Sequence, residues 1–154
     1  MSPLETSRTA PVTFRHVTPV LRVENLTASL DYYVRVLGFR LNWRDDDGSS
    51  FASVSRDDCH LFLTVGDQGH VGSWMWIGIS DAEQFYEECQ ANGVKVRNPP
   101  TNYFWALEMQ VEDIDGNVLR MGSDPKEDMP LGDWLDMHGI LWRPAPDGGW
   151  TRVN

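Results

Sequence analysis

Residues Val17–Phe39 read VTPVLRVENLTASLDYYVRVLGF. The run Val17 to Val23 is β-rich and predicts a strand with one buried side. Asn25 stands where a helix cap belongs, with a side-chain oxygen able to accept from the first turn. Leu26, Leu30, Tyr33, Val34 and Leu37 recur at helical spacing, and Gly38 supplies the left-handed stop. Outward from this stretch the pattern turns to strands. Phe39 to Trp43 reads as one, Asp45-Asp46-Asp47-Gly48 as a turn, and Phe51 to Val54 as the next. Arg56-Asp57-Asp58 turns again into a third strand, His60 to Val65.

The same order then recurs. Trp74 to Ile79 predicts a strand, and Ser80-Asp81-Ala82-Glu83 matches a capping box in which the serine and glutamate satisfy first-turn amides. Ala82, Phe85, Tyr86 and Cys89 form an apolar stripe, and Gly93 ends the helix. Val94 to Val96 is a short strand broken by Asn98-Pro99-Pro100. Tyr103 to Val111 is a longer strand, Asp113 to Asn117 a turn, and Val118 to Met121 the last strand. This internal repeat predicts an α+β fold of two tandem βαβββ modules. Neither buries its sheet alone, so they pair into a curved-sheet cleft. The expected organisation is a flexible tail over 1–12, a first module over 13–70, a second over 71–123 and a C-terminal extension over 124–154. In that extension Gly132 to His138 fits a short helix, and Trp142 and Trp150 flank a turn between two extended pieces. With three tryptophans it is expected to pack on this chain or on a partner.

The chain has 154 residues, 41% of them hydrophobic, which suits one ordinary globular unit. A net charge of −10 argues against nucleic acid or an anionic membrane as partner, since both require cationic surfaces. Two cysteines give no disulfide framework, and no apolar run reaches the ~20 residues of a membrane span. A cytoplasmic location is the expectation. Seven tryptophans are unusual for this length and point to a flat ligand as well as to core packing.

Five motifs in order carry a resemblance: Thr18 to Leu26, Tyr32 to Phe39, Arg56 to Leu63, Trp74 to Ile77, and Asp113 to Arg120. Together they resemble the vicinal oxygen chelate proteins, which include glyoxalase, extradiol dioxygenases and the bleomycin-resistance proteins, and are most similar to the last branch. The resemblance implies a homodimer whose ligand clefts lie at the dimer interface. Metal-dependent relatives place His or Glu on the first and last strand of each module. Here the motif register puts Thr18, Phe62, Trp74 and Arg120 at those positions, a set that supplies neither zinc donors nor hard oxygen ligands. The expectation is therefore no metal and no cofactor. His16, His60, His70 and His138 form no pair at ligand spacing, and Cys59 and Cys89 sit in apolar settings that suit packing.

The candidate binding residues are aromatic. Trp43 and Phe51 match ring positions of the first module, Phe62 is inward by the same register, and His60 shares its strand face. Trp74 and Trp76 share a face in the second module, and Trp105 matches a tryptophan of bleomycin-resistance proteins. Strand alternation sets Glu108 opposite Trp105 unless a bulge intervenes, leaving open a cleft or a solvent position. Arg120 requires an anionic partner, either Glu108 or a ligand. The reading is a metal-free protein that sequesters a bleomycin-like antibiotic or another aromatic or cationic metabolite, with no catalytic residue. A metal-dependent lyase or dioxygenase, and a structural dimer whose cleft its own tail fills, are the alternatives.

Overall fold

The computed structural model describes residues 10–47, 50–66 and 68–153. Residues 1–9 of the expected tail, and Gly48 of the first acidic turn, lie outside them. The first module begins with β1 (Val20–Arg22) and α1 (Leu26–Asp31), which runs on as a π-helical turn (Tyr32–Val36). The strands β2 (Arg40–Arg44), β3 (Phe51–Arg56) and β4 (Cys59–Thr64) follow. The second module repeats this as β5 (Trp74–Gly78), α2 (Ala82–Asn92), β6 (Val96–Asn102), β7 (Leu107–Glu112) and β8 (Val118–Ser123). Each module forms one four-stranded sheet, in the orders β1-β4-β3-β2 and β5-β8-β7-β6, so the repeat is exact in topology. The fold is α+β, built of glyoxalase-type modules.

Local chemistry explains both helices. Asn25 caps α1 by accepting from the Ala28 amide at 2.9 Å. In α2 the cap is Asp81, which accepts from Gln84 N at 3.0 Å, rather than Ser80 of the expected capping box. A carboxylate one residue later serves the same orphan amides and adds favourable charge at the helix start. Gly38 (φ 74°) and Gly93 (φ 70°) take the left-handed conformation at the two stops. In the π-helical turn the Leu37 amide donates to Tyr32 O at 2.9 Å. Its consecutive tyrosines are both buried against the second module.

The inner faces of both sheets meet around the helices. Leu21, Val54, Leu61 and Leu63 pack in one core with Met109, Val111, Leu119, Met121 and Cys89. The β7–β8 turn staples the modules. Buried Asp113 accepts from Tyr33 Oη at 2.8 Å, and Asp115 accepts from Glu24 N at 2.9 Å and Ser29 Oγ at 3.1 Å. On the other side Arg56 donates to both oxygens of Glu88 on α2, at 2.7 and 3.0 Å.

Three further expectations are corrected. Pro99 and Pro100 do not break β6, which runs to Asn102. Its register slips between Val96 and Asn98 and again between Asn98 and Thr101, where an edge strand tolerates missing amide donors. Tyr103 to Val111 is not one strand, because the chain bends at Phe104 and Trp105 before β7 starts at Leu107. Gly132 to His138 is not a helix. It contributes β9 (Trp134–Leu135), which pairs antiparallel with β10 (Leu141–Pro144), itself paired with β11 (Trp150–Val153). The extended pieces expected around the last turn are β10 and β11. No helix of the described residues is long and apolar enough to cross a membrane.

Candidate functional site

Strand alternation gives each sheet a second face, turned away from the core. In the first sheet the register aligns Trp43 with Ser53 and Ser53 with Phe62, and pairs Phe51 with Thr64. A register shift between Leu41 and Trp43 brings the indole onto this face. Trp43 and Phe51 stack at 5.6 Å with planes 6° apart, and Phe62 lies 5.7 and 5.3 Å from them. Trp43 is 48% exposed, so one wall of this cluster faces outward. Beside it Asn42 donates to Ser53 Oγ at 3.2 Å and accepts from Ser55 Oγ at 3.1 Å, satisfying two buried hydroxyls. His60 is paired with Ser55 and exposed on the same face.

The second sheet's face is organised by a carboxylate. Glu108 is 1% exposed. Its Oε1 accepts from Trp76 Nε1 at 2.9 Å and Trp105 Nε1 at 3.0 Å. Arg120 grips both oxygens, through Nε at 3.0 Å and a terminal nitrogen at 3.1 Å. A buried charge is tolerated only when paired and fully hydrogen-bonded, and this one has four donors. The bend at Phe104 and Trp105 explains how Trp105 reaches a residue that simple alternation sets on the opposite face. Trp76 lies over two glycines. A Cβ at Gly122 would come within 2.6 Å of its ring, and one at Gly78 within 3.1 Å. Trp74 carries the Arg97 guanidinium 5.0 Å above its ring.

The C-terminal sheet closes over this second face. Its leading segment is clamped by buried Asn102, which donates to Lys126 O at 2.7 Å and Met129 O at 2.8 Å and accepts from Lys126 N at 2.9 Å. Tyr103 Oη donates to Asp133 O at 2.9 Å. Trp134 then lies 4.7 Å from the Arg120 guanidinium carbon and edge-on to Tyr103 and Trp105, which stack on each other at 4.7 Å. Trp150 approaches Trp105 at 6.3 Å. Arg97 donates to Gln110 Oε1 and to the carbonyls of Leu135 and Asp136. The extension thus packs on its own chain, one of the two placements expected.

The nine candidate residues fall into two sets, one per sheet. Trp43, Phe51, Phe62 and His60 share the first face. Trp74, Trp76, Trp105, Glu108 and Arg120 belong to the second. A cavity of about 800 Å³ lies between the modules, and His60 and Trp76 are the members that reach it. Arg97, Tyr103 and Gln110 were not foreseen, and Trp134 was expected only as one of three tail tryptophans able to fill the cleft. The one available signal was the polar, aromatic make-up of the segments around the two prolines.

Of the four positions that the resemblance matches to metal ligands, three hold side chains that do not fit a metal. Phe62 is packed in the aromatic cluster, Trp74 lies under Arg97, and Arg120 is a cation held by Glu108 and Trp134. Among the described residues no group of three His, Cys, Asp or Glu stands close enough to hold an ion. Nor do the thiols suit nucleophilic chemistry. Burial raises the Cys59 pKa and pushes that of Cys89 up to about 12, so both stay protonated near neutrality.

Comparison with known proteins agrees with this architecture. In fold the chain is similar to a bleomycin-binding protein of Streptomyces verticillus, solved with copper(II)-bleomycin. The two are 24% identical, with a TM-score of 0.63 over 73% of this chain and 98% of that one. It is also similar to TnmS3, an antibiotic-binding protein of a Streptomyces species. There the identity is 22% and the TM-score 0.62, over 75% of this chain and all of that one. A third likeness is to a glyoxalase/bleomycin resistance protein/dioxygenase from Nocardioides, with 20% identity and a TM-score of 0.60 over 79% and 91% of the two chains. No curated protein sequence matches. The family model for the Glyoxalase/Bleomycin resistance protein/Dioxygenase superfamily matches residues 13–121 and ends before the C-terminal sheet. The chain belongs to the glyoxalase/bleomycin resistance protein/dioxygenase superfamily.

Proposed function

We propose that this protein is a non-catalytic, metal-free binder that sequesters a flat aromatic compound, a bleomycin-like antibiotic or another aromatic or cationic metabolite, in the cytoplasm. The observation that carries the reading is the stacked cluster Trp43–Phe51–Phe62, with Trp43 about half exposed. A ring laid on such a face gains about 1 kcal/mol per stacked pair beyond burial, and a cation over it gains about 0.5–2 kcal/mol. The acidity of the chain favours the cationic members of this class. Ligand positions filled by Phe62, Trp74 and Arg120 support binding without metal chemistry.

The cleft belongs to a homodimer in this reading. Val12, Phe14 and Val17 are almost wholly exposed apolar side chains ahead of β1, and β5 is an edge strand with an open side. Exposed apolar residues beside an open edge favour association of copies.

The test is a tryptophan-fluorescence titration with bleomycin, with metal content measured by mass spectrometry on the same sample. Saturable quenching at one drug per cleft, without stoichiometric metal, is expected. Trp43→Ala should then weaken binding by about tenfold. Absence of any response removes the drug, and a stoichiometric bound metal removes the metal-free reading.

A further inference from the structure

The chain holds 23 acidic residues against 13 lysines and arginines. The first sheet inverts that balance. Its four strands contain no aspartate or glutamate, yet they carry Arg22, Arg40, Arg44, Arg56 and His60. The acids next to them in sequence sit outside the strands, at Glu24, in the turn that holds Asp45 and Asp46, and at Asp57 and Asp58. Strand pairing says which cations share the ring face. Arg22 pairs with Thr64 and Thr64 with Phe51, so the three stand in one row. Trp43, Ser53 and Phe62 make the next row, and Arg40, Ser55 and His60 the one beyond. The ring cluster is therefore bracketed by Arg22 on one side and by Arg40 and His60 on the other.

Of these arginines Arg22 is the least engaged. Arg56 is held by Glu88, and Arg40 donates to Asn42 Oδ1 at 3.4 Å. Arg22 is exposed, and among the described residues its side chain makes no ion pair and lies over no ring. Such a guanidinium keeps its planar fork for a carboxylate. We infer that the first face recognises a flat ring system bearing a carboxylate, with Trp43, Phe51 and Phe62 taking the planar part and Arg22 the acid group. Arg22 and Phe51 are two strands apart, about 10 Å between backbones, a span that a two-ring body and its acid group cover. This rests on the binding reading above and narrows its class to aromatic acids. The net charge of the chain opposes it only at long range. Salt screens exposed charges beyond about 8–10 Å, so at contact distance the groups on the face decide, and those are cationic.

The experiment titrates the full chain calorimetrically with three bicyclic probes of similar shape: 2-naphthoate, its uncharged analogue 2-naphthamide, and the cation N-methylquinolinium. Wild-type affinity should fall in that order. Arg22→Gln should weaken naphthoate by about tenfold and leave naphthamide unchanged. Arg22→Lys keeps the charge without the fork and should recover part of that loss. Arg152→Gln removes an exposed arginine of the C-terminal sheet and should change none of the three affinities. An unchanged naphthoate affinity in Arg22→Gln overturns the inference. So does an equal loss of naphthamide in that variant, or an equal naphthoate loss in Arg152→Gln, which would mark a response to net charge alone. A wild type that prefers the quinolinium overturns it as well, while leaving the binding reading intact. Failure of all three probes to bind is a different result: it removes the binding reading, and this inference with it.

Discussion

The two modules place different chemistry on matching positions of the same ladder. Val20, Phe62 and Ser53 stand in one cross-strand row of the first sheet, and Trp76, Arg120 and Gln110 stand in the corresponding row of the second. Two residues along, Phe51 pairs with Thr64 and Glu108 with Gly122. The pair Phe51/Phe62, 5.3 Å apart, therefore corresponds to the ion pair Glu108/Arg120. One face carries a stacked ring cluster beside hydroxyls, His60 and the exposed Arg22 and Arg40. The other is charged, internally saturated and covered by the C-terminal sheet. The difference teaches that an inherited scaffold specifies where side chains point but not what they do there. In the binding reading proposed above the first face meets the ligand, while the second holds the chain's own extension.

This division can be broken by measurement. The largest effect is expected at Glu108. Glu108→Ala leaves two indole donors and a guanidinium without their acceptor and should cost about 3–5 kcal/mol in denaturant unfolding. A loss below about 1 kcal/mol would mean that the second face is no more structural than the first. Asn102→Ala removes the clamp on the extension, leaving part-buried backbone groups of Lys126 and Met129 unpaired. It should cost about 1–3 kcal/mol and increase proteolysis within 124–133. In the first sheet the order reverses. Phe62→Ala should cost only about 1 kcal/mol, because the ring is partly exposed, while weakening probe binding more than any second-face variant that stays folded.

The smallest effect sharpens the comparison through pH. Burial pushes Tyr103, which carries the extension, from its ordinary value of 10.0 up to about 12. Such a group binds its proton more tightly when folded. Its contribution is complete below pH 10 and is lost as pH rises from there toward 12. The extension should loosen across that window, seen as a change in the fluorescence of the six tryptophans left in a Trp43→Phe background. Tyr103→Phe should flatten the change, and an identical profile in that variant would dissociate it from Tyr103.

Much of this was legible in the sequence, and the reason is locality. Asn25, Gly38 and Gly93 act within a turn of their own position, so their roles follow from neighbours. The face shared by His60 and Phe62, and that shared by Trp74 and Trp76, follow from strand alternation alone. What was not legible depends on distant partners. β6 keeps its prolines because it is an edge strand with slipped register, and edge position is a property of the assembled sheet. β9 is only two residues long, too short to announce itself, and is defined by its pairing with β10. The Glu108 node joins residues on three strands and a bend, and no spacing in the sequence announces it. Arg97 and Trp134 meet the second face only after the extension folds back.

The bed under Trp76 has a consequence for inheritance. A methyl group at position 122 would overlap the indole, so the residue there is not free to vary while a tryptophan occupies position 76. In descendants of this chain the two positions should change together, the glycine giving way only where the indole has already shrunk. Position 122 carries no side chain, yet its identity serves as a record of whether the ring it supports is still in place.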